Sequence, residues 1–171
     1  MALLKILTRD LSARDLQDAE PGARLTIPFD IRSRSRFKAR LDNGEEVGVI
    51  LDRGQILRGG DRLLAEDGRV VEIFAAPETV STTSANDLAL LARGAYHLGN
   101  RHVPLQLGPA WLRYGHDHVL DDMMRGLGFL VSVENLPFEP EAGAYHAHGA
   151  SAGHAHDHHD HDHRHGPSHR N

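Results

Sequence analysis

The chain has 171 residues, a formal net charge of −5, 40% hydrophobic residues and no cysteine. That length holds one domain or two small ones, and a mildly acidic chain is a poor candidate for broad nucleic-acid binding. Without cysteine there are no disulfides, no thiolate zinc sites and no thiol relay, so a tight metal site must use histidine and carboxylate.

The opening MALLKILTRD carries an apolar patch too short for a signal peptide or a membrane span, and no later stretch is long enough either. A soluble, cytoplasmic protein is expected. Residues 1–75 read as all-β. Short apolar runs at residues 3–7, 24–28, 37–41, 46–51, 61–65 and 70–74 are separated by Pro21-Gly22, Asn43-Gly44, Gly59-Gly60 and Asp67-Gly68. Asn43-Gly44 and Asp67-Gly68 are the dipeptides of two-residue hairpin turns, in which both central residues take positive φ. Such spacing suggests a small barrel or sandwich. Across residues 31–41, Arg32, Arg34, Arg36, Lys38 and Arg40 fall on one face at period two. This is either a solvated strand face or a basic strip that docks an acidic partner.

Ala75-Ala76-Pro77 is the candidate linker, and residues 78–81 extend a strand beyond it. Ser84-Ala-Asn-Asp87 offers caps for a helix with Leu88, Leu91, Ala92, Ala95 and Leu98 at helical spacing, stopped at Gly99-Asn100. Two short strands at residues 103–107 and 110–114 flank Gly108-Pro109. A second helix over residues 117–126 turns Val119, Leu120, Met123 and Met124 inward, and a last strand covers residues 129–134. Strand, helix, strand, strand, helix, strand is the split βαβ order of ferredoxin-like folds. The whole reads as α+β: a small β-rich N-terminal domain over residues 1–75, a ferredoxin-like domain over residues 77–144 and a histidine-rich tail over residues 145–171.

Ten of the chain's fourteen histidines lie in that tail: His146, His148, His154, His156, His158, His159, His161, His163, His165 and His169. Neutral imidazole is a good ligand for nickel, copper and zinc, so this composition points to metal handling. The histidines alternate with Asp, Ala, Gly and Arg, unlike the uninterrupted run of a purification tag. With Gly, Ser and Pro and no apolar periodicity, the tail is expected to be disordered without metal. Asp157, Asp160 and Asp162 add oxygen ligands or simply solubilise it.

Four histidines lie before the tail. His97, late in the first predicted helix, suits a packed or capping role near the negative helix end. His102 follows the helix stop in a loop fixed by Pro104. One imidazole cannot hold a metal alone. Two copies across a dimer two-fold can, and chemistry by itself leaves that choice open. His116 and His118 bracket Asp117. At spacing two they share a face only if the backbone is extended there; otherwise they mark an exposed helix start capped by Asp117.

Together these segments resemble the UreE family of urease accessory proteins, which are nickel metallochaperones. The matching stretches are Tyr96-His-Leu-Gly-Asn-Arg-His-Val-Pro-Leu-Gln106, Leu112-Arg-Tyr-Gly-His-Asp-His-Val-Leu-Asp-Asp122 and Leu136-Pro-Phe-Glu-Pro-Glu-Ala-Gly-Ala-Tyr145 with the tail. Leu41-Asp-Asn-Gly-Glu-Glu-Val-Gly48 and Leu51-Asp-Arg-Gly54 look like the family too. The resemblance implies a β-rich N-terminal domain of peptide-binding character, a ferredoxin-like metal-binding domain and a homodimer formed through the latter. It implies that His102 pairs with its symmetry mate to bind Ni2+, that His116 and His118 form a peripheral site, and that tail histidines add capacity. Arg101 also matches, but a guanidinium is a donor and not a ligand. The implied function is delivery of Ni2+ for urease assembly through the accessory GTPase UreG and the urease apoenzyme complex. Cu2+ and Zn2+ are expected to bind in vitro, since raw affinity at nitrogen sites does not favour nickel over copper. The alternatives are a divalent-metal storage or detoxification buffer, and a metal-dependent enzyme with His102, His116 and His118 around the ion and Asp121 or Asp122 in support. No nucleophile–base pair or phosphate loop is apparent, so no catalysis is expected.

Overall fold

The computed structural model describes residues 4–7 and 20–142. Its first sheet contains β1 (Leu4–Leu7), β2 (Ala23–Ile27), β3 (Arg36–Arg40), β4 (Glu46–Ile50), β5 (Arg62–Ala65) and β6 (Val70–Ala75), in the order β2-β6-β5-β1-β4-β3. β2 pairs with β6 and β1 with β4 in parallel; the other pairs are antiparallel. Alternation in the sequence explains why these segments are strands. In β4, Val47 and Val49 are buried while Glu46 is exposed. Leu25, Ile27, Leu41, Leu57, Leu63, Val71 and Ile73 join them in one core. The two edges meet at one end. Asp42 donates its N–H to the Arg24 carbonyl, and its carboxylate accepts from the Thr26 N–H and hydroxyl.

Both predicted hairpins form, but through a different turn. Leu41 N–H donates to Glu45 and Gly44 N–H to Leu41; Ala65 N–H donates to Arg69 and Gly68 N–H to Ala65. Only the glycines, at φ 89° and 85°, have positive φ in these loops. These are three-residue loops, a type I turn followed by a left-handed glycine, so Asn43 and Asp67 need not adopt the strained backbone. Arg69 ties the two loops together by pairing with Asp67 and Glu45.

The basic strip needs a correction at its first member. Residues Phe29–Arg32 form a single helical turn, α1, before the strand begins. That turn rotates Arg32 inward, where it is fully buried. Its guanidinium donates to the carbonyls of Ile27, Leu57 and Phe138 and to the Glu139 carboxylate. Each guanidinium nitrogen thus has at least one acceptor, which is what a buried arginine requires. Arg34, Arg36, Lys38 and Arg40 remain exposed. Arg34 pairs with Asp30 and Arg40 with Glu46. β3 is an edge strand, and cations there discourage further strand pairing.

The second sheet contains β7 (Pro77–Ser84), β8 (Leu105–Gly108), β9 (Trp111–Gly115) and β10 (Leu130–Pro137), in the antiparallel order β10-β7-β9-β8. Helix α2 (Leu88–Gly99) joins β7 to β8, and α3 (His118–Gly126) joins β9 to β10. Only Ala76 separates β6 from β7. Both helices pack through Leu98, Leu112, Tyr114, Met124 and Phe129. Gly94 permits the close approach: a Cβ there would stand 2.6 Å from Phe129 Cζ and 2.9 Å from Met124 Cε. The inward face of α3 holds Leu120, Met123 and Met124 as expected, but not Val119. Val119 is 62% exposed, and the buried side chains are Asp121 and Met124. Placing a carboxylate at a core position is a departure from simple amphipathic patterning.

After β10 the chain returns across the first sheet's domain. Phe138 packs edge-to-face on Phe29, and Glu139 meets Arg32, Arg58 and the Gly59 N–H. Glu139 N–H donates to Gln106 and Glu141 N–H to the Leu105 carbonyl. Residues 138–141 therefore connect the Arg32 clamp to β8.

Candidate metal centre

His102 sits where helix α2 ends. Val103 N–H donates to the Leu98 carbonyl and His102 N–H to the Gly99 carbonyl. That pair of bonds is the Schellman closure, with the apolar Val103 packed near Leu98. Its left-handed residue is usually glycine. Here it is His102, at φ 55°, the one non-glycine residue with positive φ among the described residues. A left-handed L-residue costs about 1 kcal/mol, although histidine tolerates the region better than most. The ring is exposed, and Arg101 closes the helix end by donating to the His97 carbonyl. His97 lies in the last helical turn against Tyr96, in keeping with a structural role. Leu88, Ala92 and Tyr96, spaced by four, form an exposed apolar stripe on the helix leading to His102.

His116 and His118 flank an extended Asp117 (φ −149°, ψ 121°) at the junction of β9 and α3. The backbone is extended at Asp117, and Asp117 also caps the helix. Its carboxylate accepts from Val119 N–H at 2.8 Å and Leu120 N–H at 3.2 Å. Those bonds hold its carboxyl below the usual range.

His116 is anchored from beneath. Its Nδ1 lies 3.0 Å from Ser81 Oγ and 3.2 Å from Asp121 Oδ2. Asp121 is 1% exposed, and its Oδ1 accepts from the Tyr114 hydroxyl at 2.9 Å. Burial, then the adjacent Asp121 carboxylate, pushes the Tyr114 hydroxyl well above its usual range, so it remains a donor. Arg125 Nη2 approaches Asp121 at 3.8 Å. The His116 ring is 38% exposed.

Sequence reasoning placed Asp121 only as a possible support for a catalytic ion. The signal was a carboxylate three residues before Met124, on the core-facing side of α3. Asp122 pairs with Arg125 at the surface. Among the described residues, no three His, Asp or Glu side chains converge as a metal-holding group. Imidazole, the side chain of both His116 and His118, is a donor type that borderline divalent cations take. His146, His148, His154, His156, His158, His159, His161, His163, His165 and His169 lie outside the described residues. No described helix is long and apolar enough to cross a membrane.

The family model "UreE urease accessory protein, N-terminal domain" matches residues 7–76, and the corresponding C-terminal domain model matches residues 78–166. Urease accessory protein UreE of Alkalilimnicola ehrlichii is 59% identical over 135 residues, covering 79% of this chain and 83% of the relative. The protein of the same description from Pseudomonas putida strain W619 is 54% identical over 143 residues, covering 83% and 86%. That from Citrobacter koseri is 58% identical over 134 residues, covering 74% and 88%.

Proposed function

The chain belongs to the UreE family of urease accessory proteins, and on that premise we propose that it is a cytoplasmic nickel carrier. It works as a homodimer, takes up Ni2+ on neutral imidazoles and passes the ion, through the accessory GTPase UreG, to the urease apoenzyme complex. It performs no catalytic step of its own. Its second domain is ferredoxin-like, a reading supported by the strand order β10-β7-β9-β8 and the two helices packed through one core.

The observation that carries this reading is His102, exposed in a left-handed backbone position where glycine would be more stable. Such strain persists where the side chain has a task. The apolar stripe of Leu88, Ala92 and Tyr96 gives the helix a surface on which a two-fold contact can form. An isologous contact near the end of α2 brings His102 toward its mate, and each subunit then lends one imidazole to a shared ion. A site with so few protein ligands exchanges them stepwise, which is what transfer requires. Tail histidines gather ions and raise their local concentration. Nickel specificity comes from supply and partner choice, because Cu2+ outranks Ni2+ at nitrogen ligands.

A storage buffer is the rival reading. It draws on the absence of a three-ligand cluster among the described residues, which leaves most capacity to the tail. Equilibrium dialysis against Ni2+ separates the two, using the full chain, a chain lacking residues 146–171, and His102→Ala in each. A carrier keeps tight nickel after tail removal and loses it with His102→Ala. A buffer loses nearly all nickel with the tail and is indifferent to His102.

A further inference from the structure

We propose that Asp121 is a positioning residue for metal capture at His116: it holds the proton on Nδ1, so the neutral ring presents its lone pair at Nε2. This rests on the reading of His116 and His118 as a metal-binding pair.

An ionised carboxylate only accepts, so a contact between Asp121 Oδ2 and His116 Nδ1 at 3.2 Å needs the hydrogen on the ring nitrogen. Ser81 Oγ, at 3.0 Å from the same nitrogen, can share that hydrogen with an oxygen lone pair. The carboxylate is fixed in turn. Tyr114 donates to Oδ1, and Arg125 supplies positive charge near Oδ2. Backbone contact fixes the ring's base, since His116 N–H donates to the Thr79 carbonyl. All hydrogen bonding of this ring among the described residues falls at Nδ1, and the ring is partly exposed. Nε2 is therefore the nitrogen left to meet an ion.

A purely structural role does not account for the choice of residue as well. The Tyr114 hydroxyl needs one acceptor, and an asparagine amide oxygen supplies it without a buried charge. An apolar residue at position 121 with phenylalanine at 114 would satisfy the core more simply. The carboxylate adds an acceptor with no donor, which forces one tautomer on its neighbour. Carboxylate partners of metal-binding histidines do this, fixing the ring and raising its basicity.

The test uses the full-length chain and Zn2+ as a diamagnetic probe. Ring nitrogen shifts of His116, recorded without metal, report its tautomer directly. The proposal expects hydrogen on Nδ1 and a free lone pair on Nε2. Zn2+ is then added while His116 and His118 are followed residue by residue. Asp121→Asn preserves volume and an acceptor for Tyr114, but can turn an N–H toward Nδ1. It should move the ring toward the Nε2–H tautomer and raise the half-saturating Zn2+ concentration at this pair by about 10–100-fold. Ser81→Ala removes the other Nδ1 neighbour and should leave the tautomer unchanged. Hydrogen on Nε2 in the unaltered protein overturns the proposal, even if Asp121→Asn does not fold. Unchanged Zn2+ response in a folded Asp121→Asn also overturns it, while leaving the histidine pair intact as a site. If neither His116 nor His118 responds in the unaltered protein, the pair is not a metal site and the proposal falls with it.

Discussion

Replacing His102 with glycine separates backbone cost from ligand function. The left-handed position at φ 55° penalises an L-residue by about 1–2 kcal/mol relative to glycine. Glycine gives back about 0.4–1 kcal/mol through the greater freedom of its unfolded chain. The difference predicts that His102→Gly stabilises the metal-free fold by up to about 1.6 kcal/mol. At roughly 2–4 °C per kcal/mol for a chain of this size, Tm rises by up to about 6 °C. His102→Ala makes the control, since alanine pays at least the same left-handed penalty and should not raise Tm. Both variants remove the imidazole and should lose the tightly held nickel that survives tail deletion. Thermal unfolding followed by circular dichroism in excess chelator measures the first effect, and equilibrium dialysis the second. A fall in Tm for His102→Gly would refute the backbone argument. A rise in Tm with nickel retained would refute the ligand assignment.

Three further outcomes follow from the packing and charges. Gly94→Ala should destabilise by about 1–3 kcal/mol in urea unfolding, because the new methyl meets Phe129 and Met124 inside ordinary contact distance; a net gain would mean helix propensity outweighs the clash. Arg32→Met strands the carbonyls of Ile27, Leu57 and Phe138 and should cost about 3 kcal/mol or more, read by the same assay; a neutral result would show that the clamp is dispensable. Hydrogen bonds from Arg69 lower the Glu45 and Asp67 carboxyls below their ordinary values of 4.5 and 3.8. A lowered folded-state value stabilises above the unfolded value and is lost as pH falls through the folded one. Tm should therefore drop below about pH 4, and Arg69→Gln should flatten that drop; Asp61, raised chiefly by burial, acts in the opposite sense.

Patterning made much of this architecture legible. Alternation in residues 46–51 and 70–74 reflects faces that are buried in the structure, whereas of the apolar positions at helical spacing from residue 88 to 98 only Leu91, Ala95 and Leu98 face the core and Leu88 and Ala92 are exposed. Asp87 and Asp117 were recognisable as caps because a short acceptor before an apolar run has one geometric use. Arg32 was not legible, because period-two spacing cannot reveal that Pro28 starts a helical turn there. Nor was the role of Asp121, whose partners Ser81 and Tyr114 come from separate strands. The left-handed backbone of His102 was equally hidden, since glycine is the usual marker of that position and it is absent here. His102, His116 and His118 stood out by motif and resemblance, whereas their environments depend on tertiary contacts.

The central claim is a single nickel ion shared between the His102 residues of two subunits. Native mass spectrometry of the chain lacking residues 146–171, at substoichiometric and then saturating Ni2+, measures it most directly. The account predicts a dimer carrying one tightly held ion at substoichiometric Ni2+, and loss of that ion for the same chain with His102→Ala, which then loads only the peripheral His116–His118 pair at saturating Ni2+. A monomer that binds one ion per chain, or a dimer that loads equally well without His102, would contradict it.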